Sequence, residues 1–358
     1  MAGVRVFFAT NRNYLVRKGK EGFGTTFNVD GVAALRFGYA NFTADPVAPV
    51  LQSMQVYPDK KNVKDIRKTG GGLFMNDLRS VMTDGDKTDT LVFIHGFNVT
   101  FEGALQAGAL LAQNLKVGGQ AVNIVVFSWP SDGKAIPMMS YYSDREDARA
   151  TGPALARAFL KFGEYVTALK ASEYCQRCVH LLVHSMGAYV LRNSLQALMA
   201  KERDSLIRLF DQILLAAPDE DDDTFELDTK LRLLPRIGRR VTVYFNPRDK
   251  GLLVSDKTKG NPDRLGSDGP RMVDLIPKKI VSVDCRVVAG DADRFVEHSY
   301  YLRSRAMAED MSAVLADEPS ESFPNRIFVE RTRMFQLIAE SGETLAEIPH
   351  PAVPERNV

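Results

Sequence analysis

The chain has 358 residues, and its 46 lysines and arginines nearly balance its 45 aspartates and glutamates, which leaves a formal net charge of +1. A nucleic-acid-binding surface would need a clustered excess of basic residues, so this balance argues against nucleic acid as a partner. No apolar run approaches the roughly 18 residues of a membrane span, and three cysteines are too few for a disulfide framework. We therefore expect a globular, cytoplasmic protein without a membrane span.

Strand-like apolar runs alternate with longer helical patterns along the chain, an order that predicts a mostly parallel sheet flanked by helices. The predicted strands are Val4–Ala9, Leu35–Phe42, Thr90–His95, Ala121–Trp129, Val179–His184, Gln212–Ala217, Val241–Phe245 and Ile280–Val288. The predicted helices are Phe101–Leu115, a long helix within Asp144–Leu169 with Pro153 in its first turn, Met186–Ala200 and His298–Leu315. A further strand or hairpin is predicted within Arg326–Ile338.

Two segments depart from this alternation, and each follows the carboxyl end of a predicted strand. Pro130–Ser143 contains prolines, methionines and tyrosines, whereas Lys250–Asp274 is polar and rich in glycine and proline. Open α/β sheets bind ligands at this end of their strands. We therefore predict that both segments form the walls or the lid of a pocket, with Met138 and Tyr142 as an adaptable apolar lining. Trp129 either lines the same pocket or packs beside it.

The strongest local signal for chemistry is the sequence VHLLVHSMGAYVLRNSL at residues 179–195. A predicted strand ends, Ser185 follows, and a helix begins at once, a turn that would expose the serine hydroxyl above the sheet. The helix N-terminus favours negative charge developing on a substrate. The usual pattern is G-x-S-x-G, and here Val183 replaces its first glycine. We predict Ser185 as a nucleophile; the alternative is an ordinary buried serine in a turn.

A nucleophilic serine needs a base, and the chain offers five histidines. His180 lies inside a predicted strand, and His350 lies in a proline-rich tail. His184 directly precedes the serine, and we expect the sharp turn to point its side chain away from the hydroxyl. His298 follows the last of the predicted sheet strands, so a loop at the same edge can bring it to Ser185. We predict His298 as the base; the alternative is a surface histidine at the start of a helix.

The remaining histidine, His95, ends a predicted strand in the sequence HGFN. Acyl chemistry needs hydrogen-bond donors for an oxyanion. We predict the backbone N–H of Met186, directly after the serine, and the backbone N–H of Phe97, next to a glycine that lets the chain approach the substrate. His95 and Asn98, which flank this turn, are candidates for the substrate pocket.

A third residue must orient the histidine through a carboxylate. Asp249 and Asp219 each follow a predicted strand at the expected edge, and both fit the chain order serine, acid, histidine. The run Asp219–Asp223 also resembles a cation site, but without alternating ligand spacing a solvated helix start is the better interpretation.

Two other patterns are weaker indications of a metal or phosphate site. Cys175 and Cys178 form a C-x-x-C pair without a second pair to complete a metal site, and Gly70–Gly72 lacks the lysine and the following helix of a phosphate-binding loop. We therefore predict no metal and no cofactor.

Six segments, in this order, resemble the α/β-hydrolase superfamily, and specifically a bacterial serine-hydrolase family catalogued as a domain of unknown function. They are FFATNR (7–12), FIHGFNVTFEGAL (93–105), FSWPSDG (127–133), LLVHSMGAYVL (181–191), LLAAPDEDDDTF (214–225) and HSYY (298–301). The resemblance implies an α/β-hydrolase fold in which Ser185 matches the elbow nucleophile and His298 the late histidine. In most proteins that resemble this one, the acid follows the second strand after the nucleophile, which favours Asp249 over Asp219.

The resemblance and the residues together predict a catalytic domain over residues 1–320 and a C-terminal extension over residues 321–358. We expect a serine hydrolase that cleaves small-molecule carboxylic esters through an acyl-enzyme. An amidase, a thioesterase and an acyltransferase are alternatives at the same site. A binding protein that retains the fold is an alternative of another class, and the intact Ser185 and His298 argue against it.

Overall fold

An eleven-stranded sheet forms the centre of the molecule. The computed structural model describes residues 3–17, 19–58, 63, 65–83, 88–131, 137–167, 169, 175–201, 206–252, 263–292 and 296–338. The strands are β1 (Val4–Thr10), β2 (Arg12–Arg17), β3 (Lys20–Phe27), β4 (Arg36–Phe42), β5 (Leu51–Val56), β6 (Thr90–Ile94), β7 (Lys116–Val117), β8 (Gln120–Ala121), β9 (Asn123–Ser128), β10 (Val179–His184), β11 (Phe210–Ala216), β12 (Gly238–Phe245), β13 (Ile280–Asp284), β14 (Arg326–Val329) and β15 (Met334–Leu337).

The order of strands in the central sheet is β14-β15-β13-β12-β11-β10-β6-β9-β1-β4-β5. Every neighbouring pair from β15 to β1 is parallel, and the outer pairs at both edges are antiparallel. Parallel strands end at the same edge, so the chain that follows β6, β9, β10, β11 and β12 converges there.

Helices cover both faces of this sheet. They are α1 (Gly70–Thr83), α2 (Phe101–Asn114), α3 (Pro137–Thr167), α4 (Gly187–Lys201), α5 (Leu234–Ile237), α6 (Leu265–Asp268), α7 (Arg286–Ala292), α8 (Tyr300–Arg303) and α9 (Arg305–Leu315). Helices α1, α3 and α4 pack on one face, and α2, α7, α8 and α9 pack on the other. The predicted α/β-hydrolase architecture, a mostly parallel sheet flanked by helices, is confirmed.

Two apolar cores result, because successive strand side chains point to opposite faces of the sheet. In β9, Val125 and Phe127 enter the core under α1, α3 and α4, whereas Ile124 and Val126 enter the core under α2 and α9. Central strands therefore appear in the sequence as continuous apolar runs, the pattern of parallel strands buried on both faces.

The long helix α3 begins at Pro137, well before the start that was predicted near Pro153. Its first turns bury Tyr141 and Asp144, whose side-chain oxygens form hydrogen bonds. These turns therefore lack the apolar periodicity that marks the rest of the helix. Further along, close packing of α3 against α4 places Gly152 beside Asn193, where an added Cβ would lie 2.7 Å from the Asn193 carbonyl carbon.

Two predicted elements are shorter than expected. The strand predicted over Ile280–Val288 ends at Asp284, and the chain then enters α7. The helix predicted over His298–Leu315 is two helices, α8 and α9. Ser304 separates them, because it leaves the helical conformation (φ −81°, ψ 124°) and its hydroxyl accepts the N–H of Met307 as a cap of α9.

Several elements outside the predicted core were not anticipated. The hairpin β2–β3 lies between the predicted strands Val4–Ala9 and Leu35–Phe42, where no strand was expected, and Gly70–Gly72 begin α1 where no helix was expected. The strand or hairpin predicted within Arg326–Ile338, by contrast, is confirmed as the hairpin β14–β15, which joins the main sheet through β13. The proline-rich tail, residues 339–358, lies outside the described residues.

Candidate active site

Ser185 occupies a sharp turn between β10 and α4. Its φ is +51°, in the left-handed region that residues other than glycine rarely adopt. Its N–H donates to the carbonyl oxygen of Ala216 (3.1 Å), and its own carbonyl accepts the N–H of Asp219 (3.1 Å). These two bonds to the chain at the end of β11 hold the strained backbone in place. The local structure is the strand–turn–helix that the sequence predicts.

Glycine at position 187 is required by the close approach of α4 to the end of β6. A Cβ built on Gly187 would lie 2.7 Å from the carbonyl oxygen of His95 and 2.8 Å from that of Ile94. Val183, at the position where the usual pattern has glycine, is fully buried and packs in the core under α4. The turn therefore forms without the first glycine.

The structure brings His298 and Asp249 together at the same edge. The imidazole Nδ1 of His298 lies 2.7 Å from Oδ2 of Asp249. The other carboxylate oxygen of Asp249 accepts the backbone N–H of Leu252 (3.2 Å). The Asp249 side chain is fully buried, whereas 17% of the His298 side chain is exposed. This geometry fixes the ring orientation and leaves Nε2 as the atom that faces away from the carboxylate.

The loops that carry this pair are tied to each other. The N–H of Lys250 donates to the carbonyl oxygen of Val296 (2.9 Å), and the Asn246 amide donates to the carbonyl oxygen of Glu297 (3.1 Å). Glu297 has a φ of +54°. A Cβ built on Gly251 would lie 2.6 Å from Cγ of the His298 imidazole, so the backbone of the acid loop packs directly on the histidine.

Asp219, the alternative acid, has different partners. Its carboxylate forms a buried ion pair with Arg264 and accepts the phenolic O–H of Tyr141 (2.7 Å). The guanidinium of Arg264 also pairs with Asp221. Residues 219–223 form turns and an isolated bridge, so the predicted helix start is wrong. Two residues of the acidic run, Asp219 and Asp221, are the carboxylate partners that the fully buried Arg264 needs.

The turn that follows β6 lies directly against Ser185. A Cβ built on Gly96 would lie 2.8 Å from Cβ of Ser185, so a larger residue would displace one of the two chains. Among the described residues, neither the N–H of Phe97 nor the N–H of Met186 donates a hydrogen bond to another protein group. Both predicted oxyanion donors therefore lie on segments next to Ser185, and neither N–H is already used in a hydrogen bond to another described residue.

His95 and Trp129 lie beneath this turn rather than in a pocket wall. Their rings stack with centroids 5.2 Å apart, and the indole N–H of Trp129 donates to the carbonyl oxygen of His95 (2.9 Å). Burial, with the charge of Arg12 as a second cause, lowers the pKa of His95 to about 3. His95 is 1% exposed and Trp129 is fully buried, so both pack beneath the turn, which for Trp129 is the second of its two predicted positions.

The other predicted pocket residues have mixed positions. Asn98 is exposed at the turn after β6, with a φ of +58°, and Tyr142 is 51% exposed on the first turns of α3. Met138 lies in α3, but its side chain is outside the described residues, as are residues 132–136 and 253–262 of the two predicted lid segments.

His184 has a position that sequence reasoning did not find. Its ring packs against those of His298 and Tyr301, with centroids 4.6 Å and 4.5 Å away. Its Nε2 lies 3.3 Å from the carbonyl oxygen of His298, to which it donates as the neutral tautomer. Burial, followed by the nearby His298, holds the pKa of His184 well below its usual value. His184 therefore packs beneath the loop that carries His298 and donates a hydrogen bond to it.

An apolar cavity of about 110 Å³ lies elsewhere, between the sheet and the helices α1 and α3. Its lining includes Thr90, Val179 and Phe210, the first residues of β6, β10 and β11. It therefore opens toward the amino ends of the parallel strands, away from Ser185.

The cysteines and carboxylates show no metal-binding arrangement within the described ranges of the chain. Cys175 and Cys178 are free thiols. Cys178 is exposed at the surface, but partial desolvation of its thiol, with the charge of Asp211 as the next cause, raises its pKa to about 11, which keeps the thiol protonated and a poor nucleophile.

The chain shows similarity to known proteins in sequence and in structure. The chain is 28% identical over 174 residues to an uncharacterized protein of Nostoc sp., a match that covers 42% of each of the two proteins. Among solved structures it is similar to an acylaminoacyl peptidase of Pyrococcus horikoshii, with 12% identity, a TM-score of 0.31 and coverage of 88% of this chain and 54% of the peptidase.

Two further findings concern the whole chain. In the part of the chain that the structure describes, no helix has both the length and the apolar character to cross a membrane. A family model described as "Alpha/beta hydrolase of unknown function (DUF900)" matches residues 74–316, a range that includes Ser185, Asp249 and His298. The chain therefore belongs to this family of α/β hydrolases.

Proposed function

We propose that the protein is a serine hydrolase that cleaves carboxylic esters through an acyl-enzyme, with Ser185, His298 and Asp249 as its triad. The observation that carries this proposal is the convergence of a strained serine turn and a buried aspartate–histidine pair at one sheet edge. The ring of His298 packs on that of His184, the residue directly before the serine, with centroids 4.6 Å apart. The base and the nucleophile therefore lie on adjoining segments.

In the proposed reaction, Oγ of Ser185 attacks the ester carbonyl carbon while Nε2 of His298 takes the hydroxyl proton. The tetrahedral intermediate collapses as His298 returns this proton to the departing alcohol. Water, deprotonated by the same nitrogen, then attacks the acyl-enzyme, and His298 returns this proton to Oγ of Ser185 as the acid is released. Asp249 accepts the Nδ1–H throughout, which holds the ring in the required tautomer and stabilises the imidazolium.

The backbone N–H groups of Phe97 and Met186 are proposed to bind the oxyanion. Each donor of this kind typically contributes about a hundredfold to a thousandfold in kcat. Gly96 allows this loop to lie against the serine, because any side chain there would collide with Cβ of Ser185. The N-terminus of α4 adds the positive end of a helix dipole at the same point.

The direct test is Ser185→Ala, measured with a fluorophosphonate probe and with p-nitrophenyl esters of increasing acyl length. We expect loss of labelling and a fall in kcat on the order of a millionfold. Ser194→Ala is a matched control, because Ser194 is an equally buried serine whose hydroxyl has no hydrogen-bond partner among the described residues. Full labelling and ester turnover in a folded Ser185→Ala protein would refute the serine mechanism.

The same panel separates the alternatives. Parallel assays with a p-nitroanilide and a thioester of the preferred acyl group distinguish an amidase and a thioesterase from an esterase, and added alcohol reveals acyl transfer. A wild-type protein that is folded but neither labelled by the probe nor active on any member of the panel would instead indicate a binding protein.

A further inference from the structure

We propose that Arg12, Ser131 and Asp144 form a buried polar network whose role is to position the oxyanion loop, residues 96–99. The inference rests on the proposed function, because it assigns these residues to the loop that carries the Phe97 donor. Arg12 belongs to the segment FFATNR and Ser131 to FSWPSDG, two of the segments that carry the family resemblance. Neither segment contains a residue of the proposed triad.

Asp144 is the anionic member of the network. It is fully buried in the first turns of α3, and its Oδ2 accepts the backbone N–H of Asn98 (3.1 Å). Asn98 has a φ of +58°, so the loop adopts a conformation that is costly for a residue other than glycine. The hydrogen bond to a carboxylate is of the stronger, charge-assisted kind. It therefore holds the strained residue that directly follows Phe97.

Ser131 links Asp144 to the next residue of the loop. Its hydroxyl donates to Asp144 and accepts the backbone N–H of Val99 (3.1 Å). One side chain thus uses its donor and an acceptor lone pair at the same time. As a result, the N–H groups of Asn98 and Val99 are both bound by the network, while the N–H of Phe97 remains available.

Arg12 binds the same loop through the carbonyl oxygen of Val99. Its guanidinium is fully buried and donates to the carbonyl oxygens of Val99 (2.7 Å), Ser131 (3.3 Å) and Gly24 (3.1 Å). Its Nε donates to the hydroxyl of Ser128 (3.0 Å). The guanidinium is planar and permanently charged, and its N–H groups point in fixed directions, which suits this set of fixed acceptors.

The opposite charges of Arg12 and Asp144 are joined through Ser131. The serine carbonyl accepts from Arg12, and the serine hydroxyl donates to Asp144. Burying a charge without partners is strongly unfavourable, so each ion is retained only with a set of hydrogen bonds in place. The two ions and the serine bind the N–H groups of Asn98 and Val99 and the carbonyl oxygen of Val99, which fixes the direction of the preceding N–H of Phe97.

The experiment compares Ser131→Ala with Ser194→Ala, the same change at an equally buried serine without a hydrogen-bond partner among the described residues. We expect Ser131→Ala to lower kcat about tenfold to a hundredfold, with KM changed less than about threefold, because a loop displaced by about 1 Å misplaces an oxyanion donor. The inhibition constant of a boronic acid, whose tetrahedral adduct needs the same donor, should rise by a similar factor. Asp144→Asn keeps an oxygen that can accept both bonds but loses the negative charge, so its fall in kcat should be smaller than that of Ser131→Ala but still measurable.

Amide hydrogen exchange over residues 96–99 provides a readout that does not depend on activity. It should be faster in Ser131→Ala than in wild type and unchanged in Ser194→Ala. Unchanged exchange and unchanged kcat in a folded Ser131→Ala protein would overturn the positioning role, as would equal losses in the two alanine variants. If the wild-type protein neither hydrolyses esters nor reacts with a fluorophosphonate, the proposed function fails, and the exchange data still decide whether the network holds the loop.

Discussion

Two aspartates follow neighbouring strands at the same edge of the sheet, and they differ in their partners. Asp219 follows β11 and pairs with Arg264, whereas Asp249 follows β12 and pairs with His298. Both are almost fully buried, at 2% and 4% exposure. Position and burial therefore do not distinguish them. The partner does, because a guanidinium keeps its proton under all ordinary conditions and an imidazole can take and release one near neutral pH.

The surroundings of the two pairs differ in the same way. Arg264 is completely buried and holds Asp219, Asp221 and, through the Asp219 carboxylate, the hydroxyl of Tyr141. His298 keeps 17% of its side chain exposed, at an edge where a substrate can reach it. The first pair is suited to fix the start of α3 against β11, and the second is suited to move a proton.

The largest expected effect comes from exchanging each aspartate for the isosteric amide. Asp249→Asn should reduce kcat on a p-nitrophenyl ester by about four orders of magnitude, because an amide favours the wrong imidazole tautomer. Asp219→Asn should leave kcat within about tenfold of wild type, since no hydrogen bond joins its side chain to His298 among the described residues. Steady-state kinetics of both variants, with circular dichroism as the folding control, measure the difference. A collapse of kcat in Asp219→Asn with near-normal turnover in Asp249→Asn would reverse the assignment.

The free energy of unfolding should show the opposite order, with the larger loss in Asp219→Asn. Removing one partner of a buried ion pair typically costs about 3–5 kcal/mol, and Asp219→Asn should fall at the lower end because Arg264 retains Asp221. Asp249→Asn leaves a partly exposed histidine that can be neutral, so we expect a loss of only about 1 kcal/mol. Urea unfolding followed by fluorescence gives both free energies. Equal losses in the two variants would show that the Arg264 pair has no special structural role.

The sequence predicted the sheet and the serine turn well because their signals are local. Strands buried on both faces appear as continuous apolar runs such as Thr90–Ile94, and the turn at Ser185 is defined by the residues on either side of it. The early start of α3 was missed because its first turns are buried by polar contacts of Tyr141 and Asp144, which leave no apolar stripe.

The roles of the buried polar residues were harder to predict, because their partners are distant in sequence. Arg264 lies in a segment that reads as a polar loop, and nothing near it indicates a fully buried guanidinium. His95 ends a strand beside the oxyanion loop, yet its stacking on Trp129 depends on the neighbouring strand β9. A pattern can place such residues at the correct edge of the sheet, but the choice between lining a pocket and supporting it depends on three-dimensional packing.

The histidines also divide into a proposed catalytic residue, His298, and two structural residues, His184 and His95. The smallest of the expected effects tests this division. His184 and His95 are buried and have no carboxylate partner in the part of the chain that the structure describes, and burial holds the pKa of both below the usual value of about 6.5. The unfolded chain therefore binds protons at these positions that the folded chain does not bind. Their contribution to stability is complete above about pH 6.5 and is lost as the pH falls below it.

For each of these histidines the free energy of unfolding should fall by up to about 1.4 kcal/mol per pH unit below pH 6. His184→Gln removes one titrating group. Between pH 6 and pH 5, the unfolding free energy of this variant should therefore fall by about 1.4 kcal/mol per pH unit less than that of wild type. Urea titrations of both proteins at matched ionic strength give the two slopes, and carboxylates that titrate in the same range contribute equally to both. Identical slopes would mean that His184 is protonated in the folded protein, and its hydrogen bond to the His298 carbonyl would then hold a charged ring beneath the base.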